Sequence, residues 1–168
     1  IRLATPLAIG KPNHFLNALY RRAKRDRSID LHILTALSLE RPKAKSELER
    51  RFLDPFVARV FGDYPDLEYE VDRARGALPP NVRVIEFYFY AGKLLHNAAA
   101  QRDYISTNYT FVARDLIDRG VNVLAQQVAR GSSDGREMFS LSCNPDVTPD
   151  LVRGLRAAAT AASQGSMC

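Results

Sequence analysis

The stretch Arg119-Gly120-Val121-Asn122-Val123-Leu124-Ala125-Gln126-Gln127-Val128, followed a short loop later by Phe139-Ser140-Leu141-Ser142-Cys143-Asn144-Pro145-Asp146, decides how this chain is read. It predicts a helix stop at Gly120, a buried strand, a Gly-rich turn, a second strand, and then Asn-Pro-Asp opening a helix. Open α/β sheets hold their ligands outside the carboxyl ends of the strands. This stretch puts Gln127, Ser140, Ser142 and Asn144 at such an edge. A polar ligand site is expected there, without a complete catalytic apparatus in view.

Working outward, the same alternation recurs. Arg2 to Ile9 is apolar and strand-like and ends at Gly10. Pro12 sits where a helix can start without its N–H, and Phe15, Leu16, Leu19 and Ala23 recur at helical spacing to about Lys24. Ile29 to Leu39 reads as a buried strand, with Leu31, Ile33 and Leu37 on one face. Lys45 to Arg75 is different: highly charged, with a stripe of Phe52, Phe56, Val57, Val60 and Phe61, a break at Tyr64-Pro65, and a second helix from Leu67. It reads as a helical excursion outside the sheet, spanning about 45–76. Val82 to Phe87 returns to a strand. Tyr90 to Gln101 is expected to be helical, with Ala91, Leu94, Leu95, Ala98 and Ala99 inward. Asp103-Tyr104-Ile105 follows as a short strand, and Tyr109 to Arg119 as a helix. Thr148-Pro149-Asp150 carries a capping residue and a proline at the start of a closing helix, Leu151 to Ala162. The tail 163–168 is expected to fray. The pattern predicts one α/β domain over 1–162, a mostly parallel sheet with flanking helices and right-handed crossovers.

Bulk properties bound the function. A chain of 168 residues, 46% hydrophobic, has room for one sizeable core. Its first residue is Ile1, so a fragment or processed product is expected. The net charge is +5 with mixed signs along the chain. The run Arg21-Arg22-Ala23-Lys24-Arg25-Asp26-Arg27 is capable of touching phosphates, but it falls in the last turns of a helix, where cations complement the macrodipole. Cys143 and Cys168 make no disulfide framework. No apolar run reaches membrane-spanning length and no signal pattern opens the chain. The expected location is therefore cytoplasmic, with neither nucleic acid nor membrane as partner.

The candidate chemistry is sparse. Ile9-Gly10-Lys11-Pro12-Asn13-His14 links a strand to a helix, where free N–H groups favour an anion or developing oxyanion; a tight turn with a capped helix fits the same residues. Ser106, Thr107 and Asn108 either bind substrate or, through Asn108, cap the next helix. His14, His32 and His96 lack metal-ligand spacing, and His32 reads as a packed strand residue. Asp26, Asp30, Asp115 and Asp118 fall mostly at helix ends or faces. A Ser-His-Asp set meets only in space, and no Gly-x-Ser-x-Gly elbow is present. Cys143 is either a reactive thiol or a buried structural cysteine.

Several stretches resemble the acetyl-CoA hydrolase/transferase family, within the class I CoA-transferases. They are Gly10-Lys11-Pro12-Asn13-His14 with Asn17-Ala18-Leu19-Tyr20, Thr35-Ala36-Leu37-Ser38-Leu39-Glu40, Tyr104-Ile105-Ser106-Thr107-Asn108-Tyr109-Thr110, Gly120 to Val128, and Ser140-Leu141-Ser142-Cys143-Asn144-Pro145-Asp146. They run in order from residue 3 to about 152. The resemblance implies a CoA-transferase-like amino-terminal half, with the active site between it and a similar carboxyl-terminal half. It implies acyl transfer through a glutamate that becomes an acyl anhydride and then a glutamyl-CoA thioester, which is nucleophilic catalysis by a carboxylate. That glutamate belongs to the carboxyl-terminal half. None of Glu40, Glu47, Glu49, Glu68, Glu70, Glu86 or Glu137 stands in a matching context, so this chain alone is expected to be inactive.

By the same resemblance Gly10, Lys11, Asn13, Ser106, Asn108, Gln127 and Asn144 line the acyl pocket and hold a carboxylate. The coenzyme A thioester is a substrate, with no permanently bound cofactor and no metal. The expected partners are acyl-CoA, a small carboxylate and the carboxyl-terminal half, in a homo-oligomer. The alternative is a non-enzymatic small-anion-binding or regulatory α/β domain. A nucleic-acid-binding module ranks last, because no aromatic platform is interleaved with the basic run.

Overall fold

In the computed structural model, which describes residues 1–142 and 144–165, four parallel strands form the central sheet. These are β1 (Arg2–Ala4), β2 (Leu31–Thr35), β3 (Val82–Glu86) and β4 (Val123–Leu124), in the spatial order β3-β2-β1-β4. Side chains alternate across each strand, so both faces of the sheet are apolar, as a sheet covered on both sides requires. On one face Leu3, Leu31, Ile33, Val82 and Val84 pack with Leu16, Tyr20 and Ala23 of helix α1 (Asn13–Arg25) and with Leu67 and Tyr69 at α3 (Glu68–Ala74). On the other, Ala4, Leu34 and Ile85 meet Val112 and Leu116 of α5 (Val112–Asp118) and Leu151 of α6 (Thr148–Gly165). The mostly parallel α/β reading therefore holds.

The elements are shorter than the sequence suggests. Of Arg2 to Ile9 only Arg2–Ala4 is strand: the Thr5 and Ala8 N–H groups still reach the Leu34 and Ala36 carbonyls, but Pro6 offers no N–H and Ala8 turns into the left-handed region. The second run ends at Thr35, before Leu37, which also has positive φ. The expected helix from Tyr90 is confined to α4 (Ala98–Arg102). Gly92 at φ +76° interrupts it, and the Asn97 side chain caps the Ala100 N–H, so Leu95 is 66% exposed rather than inward. Tyr104 makes only an isolated bridge to Glu86. A 3-10 turn, Tyr109–Phe111, leads into α5, and Gly120 at φ +76° stops that helix as expected. Helix α6 begins at Thr148 and continues through Gly165, so residues 163–165 are helical rather than frayed.

The deciding stretch carries the largest correction. Of Val121 to Val128 only Val123 and Leu124 join the sheet, against Leu3 and Ala4. The following strand does not extend it. It is β6 (Arg136–Ser140), which pairs antiparallel with β5 (Ala129–Ser133) in a separate hairpin whose residues are all exposed. Asp134 and Gly135, at φ +51° and +72°, form its two-residue turn, the backbone that a tight hairpin demands.

The excursion comprises α2 (Glu47–Val60) and α3. Ser46 caps α2, yet no residue of α2 is buried. Its apolar stripe therefore lies in water, whereas α3 buries Tyr69, Glu70 and Arg73. No helix among the described residues is long and apolar enough to cross a membrane.

Candidate functional site at the strand ends

The chain runs outward from β1 to β2 to β3, then returns to place β4 on the far side of β1. Between β1 and β4 the connections diverge, which opens a crevice at the carboxyl ends of the strands. A cleft of about 470 Å³ lies there. Its walls come from Ala8 to Lys11 after β1, Leu39 to Arg41 after β2, and Gln127 to Ala129 after β4.

Gly10 sits at φ +99°, a conformation that side chains rarely adopt, and its carbonyl accepts the Gln127 N–H at 2.8 Å. Ala8 and Ser142, two more cleft residues, also have left-handed backbones. Strained backbone held in place by its surroundings gathers at binding sites. Asn144 holds this turn: its amide nitrogen donates to the Leu7 carbonyl at 2.7 Å and to the Ile9 carbonyl. Both N–H bonds are thereby used, so Asn144 shapes the cleft instead of offering free donors, a correction to its expected role. Asp146 adds a second tie, accepting the Leu7 N–H at 2.6 Å and the Tyr109 hydroxyl.

Lys11 also differs from expectation. It is 1% exposed, and its Nζ donates to the Ala36 carbonyl at 2.6 Å. Burial pulls its pKa down to about 7, although Glu86, Asp146 and Glu70 pull the other way. Asn13 stands at the start of α1, where the helix dipole favours negative charge, although its own N–H donates to the Lys11 carbonyl at 3.0 Å. Its Nδ2 donates to the Pro65 carbonyl at 2.8 Å, and Asn17 Nδ2 donates to the Asp66 carbonyl at 2.9 Å.

Those two bonds fasten the excursion to α1. The excursion, expected only to lie outside the sheet, lines the cleft through Val60, Phe61, Tyr64, Pro65, Asp66 and Leu67. The interruption Tyr64-Pro65 was the available signal, because it returns the chain toward the sheet. The carboxylates at the rim are engaged: Glu40 lies 3.1 Å from Lys93 Nζ, and Asp66 Oδ1 accepts the Arg41 N–H at 2.9 Å.

Gly10, Lys11, Asn13, Gln127 and Asn144 thus meet in one place, with Ser142 beside them. Ser106 and Asn108 do not join them. Asn108 Oδ1 caps the Thr110 N–H at 3.0 Å, its structural alternative, and Ser106 is an exposed loop residue. Ser140 lies on the exposed hairpin, where it accepts the Ser142 N–H. Cys143 and Cys168 lie outside the described residues. His32 pairs with Asp30 at 3.2 Å, and Asp26 caps Ser28. Among the described residues no group of three or more metal-ligating side chains gathers. In the basic run Arg21 pairs with Glu68 at 3.1 Å and Lys24 with Asp72 at 2.6 Å, so part of it braces α1 against α3.

No protein-family model matches this sequence, and neither a curated protein nor a solved structure matches the chain.

Proposed function

We propose that this chain is the amino-terminal domain of an acyl-CoA hydrolase or CoA-transferase, and that the cleft between β1 and β4 receives the acyl or carboxylate group. The observation that carries this reading is the convergence of Gly10, Lys11, Asn13 and Gln127 on a cleft at the point where the strand order reverses. The resemblance of these same stretches to the acetyl-CoA hydrolase/transferase family supports it. The start of α1 supplies positive potential for a carboxylate or thioester oxygen. Gln127 adds an amide, and the Gly10 turn lets a ligand approach the backbone closely. Glu40 and Asp66, the carboxylates at the rim, are engaged with Lys93 and Arg41. In this reading the attacking glutamate comes from a carboxyl-terminal half.

CoA release from a series of acyl-CoA thioesters, by this chain and by the full-length gene product, tests the reading. Turnover by the full-length protein alone is expected, falling at least tenfold in Gln127→Ala. Acceleration by added acetate or succinate identifies a transferase, and its absence a hydrolase. Turnover by the 168-residue chain alone would overturn the assignment of the nucleophile. Silence in both, with small-anion binding retained, would establish the regulatory alternative instead.

A further inference from the structure

We infer that the acyl group received by this cleft is an extended hydrocarbon chain rather than acetyl, and that the excursion selects it; the inference rests on the acyl-binding reading above. The cleft measures about 470 Å³, within the ordinary size of small-molecule sites. An acetyl group, with three non-hydrogen atoms, leaves most of that space unfilled.

The lining divides by chemistry. Gly10, Gln127 and Asn144 are knit together, Gln127 N–H to Gly10 O and Asn144 to the carbonyls of residues 7 and 9. Apolar groups line the same cleft: Val60 and Phe61 of the excursion, with Leu39 and Val128. Several of these apolar groups stand in water: Ile9 is 66% exposed, Val60 57%, Val128 40% and Leu39 38%. Water around such side chains is released only when apolar matter covers them. A lining that joins these polar groups to exposed apolar side chains fits an amphiphile with one acidic or thioester head. It therefore fits a carboxylate bearing a hydrocarbon tail.

The wall is held in register with the head-group end. Asn13 and Asn17 donate to the carbonyls of Pro65 and Asp66, Asn17 Oδ1 accepts the Glu68 N–H at 2.9 Å, and the Tyr64 hydroxyl donates to the Lys11 carbonyl. The excursion is thus a measuring wall joined to the helix that receives the carboxylate. Val60 is exposed and Phe61 half-buried, so substitutions there leave the core untouched.

The test is direct binding of acetate, butyrate, hexanoate and octanoate to the 168-residue chain by calorimetry or chemical-shift titration. Affinity is expected to climb about threefold to fourfold per methylene, the value of removing each CH₂ from water. Phe61→Ala and Val60→Asn should flatten that climb, whereas Leu48→Ala, on α2 away from the cleft, should keep it. Binding that is measurable but equal across the series would overturn the inference and leave the acyl-binding reading standing. A climb untouched by either wall substitution would overturn the role of the excursion. Failure of every carboxylate to bind would overturn both readings together.

Discussion

Lys11 carries an ammonium group into a place that water scarcely reaches. Two main-chain carbonyls, of Ala36 and Leu37, take its protons at 2.6 and 3.4 Å, and among the described residues no carboxylate forms an ion pair with it. Desolvation therefore outweighs the pull of Glu86, Asp146 and Glu70, and the pKa falls from 10.5 to about 7. The consequence for stability has a definite sign. Between pH 7 and 10.5 the unfolded chain binds this proton and the folded chain does not, so stability from this group rises with pH across that window. Below pH 7 both states are protonated and the full penalty stands, on the order of a few kcal/mol. Urea unfolding of the parent and of Lys11→Met, from about pH 7 to about pH 9.5, isolates this group below the ordinary tyrosine range. The parent should gain stability on Lys11→Met as pH rises. Parallel pH profiles would mean that the folded ammonium keeps its usual affinity for protons.

At the scale of elements, α3 is held by charge as well as by packing. Arg73 is 2% exposed, with Nη2 at 2.5 Å from Glu70 and 2.6 Å from Glu86 at the end of β3. Glu86 Oε1 also accepts the Ser38 hydroxyl at 2.6 Å, and Ser38 meets the Tyr69 hydroxyl at 3.0 Å. Lys93 spans Glu70 and Glu40, linking this buried set to the rim of the cleft. Burial raises the Glu70 pKa against the pull of Arg73 and Lys93, so this carboxylate depends on its cations to stay ionised. Buried pairs add little over apolar packing, but removing one partner strands the other. Arg73→Met takes the only paired cation from Glu86 among the described residues and leaves Glu70 with Lys93 alone, and should cost about 3–5 kcal/mol, measured as the loss in urea unfolding free energy. Adding Glu86→Gln should recover part of it, because the stranded charge is removed. A loss under about 1 kcal/mol, the size of an exposed pair, would overturn the role of Arg73 in holding α3 to β3.

Over the whole molecule, the sheet was legible because its strands are apolar on both faces, and part of the cleft lining was legible in the turns that follow the strands. Gly10 and Gln127 stand in the loops that follow β1 and β4, and the Gln127 N–H meets the Gly10 carbonyl. What escaped depended on tertiary choices. The run at Val121 looked like a full strand, yet its second half turns away to enter a hairpin whose Asp134-Gly135 turn was the readable sign. Asn108 offered the same polar atoms whether capping a helix or binding substrate, and local bonding decided between them. The stripe Phe52, Phe56 and Val60 has the spacing of a buried helix face, but periodicity shows only that a face is apolar, not that anything covers it. Helix α2 buries none of its residues and carries Pro55 in its interior, which removes one helical hydrogen bond. Most helical stability in proteins comes from a packed face, so α2 belongs at the low end of the local stability scale. Yet its last residue, Val60, stands in the cleft wall, and the following turn is tied to α1 through Asn13 and Asn17. Hydrogen exchange followed by mass spectrometry should then show fast exchange over 47–60 and slow exchange in α1 and the first three strands. Hexanoate should slow exchange at the carboxyl end of α2 and over 61–66, while leaving Glu47 to Arg51 fast. If α2 instead exchanged as slowly as α1 without ligand, its stripe would have to be covered in solution, and the cleft wall would be rigid before any acyl chain arrived.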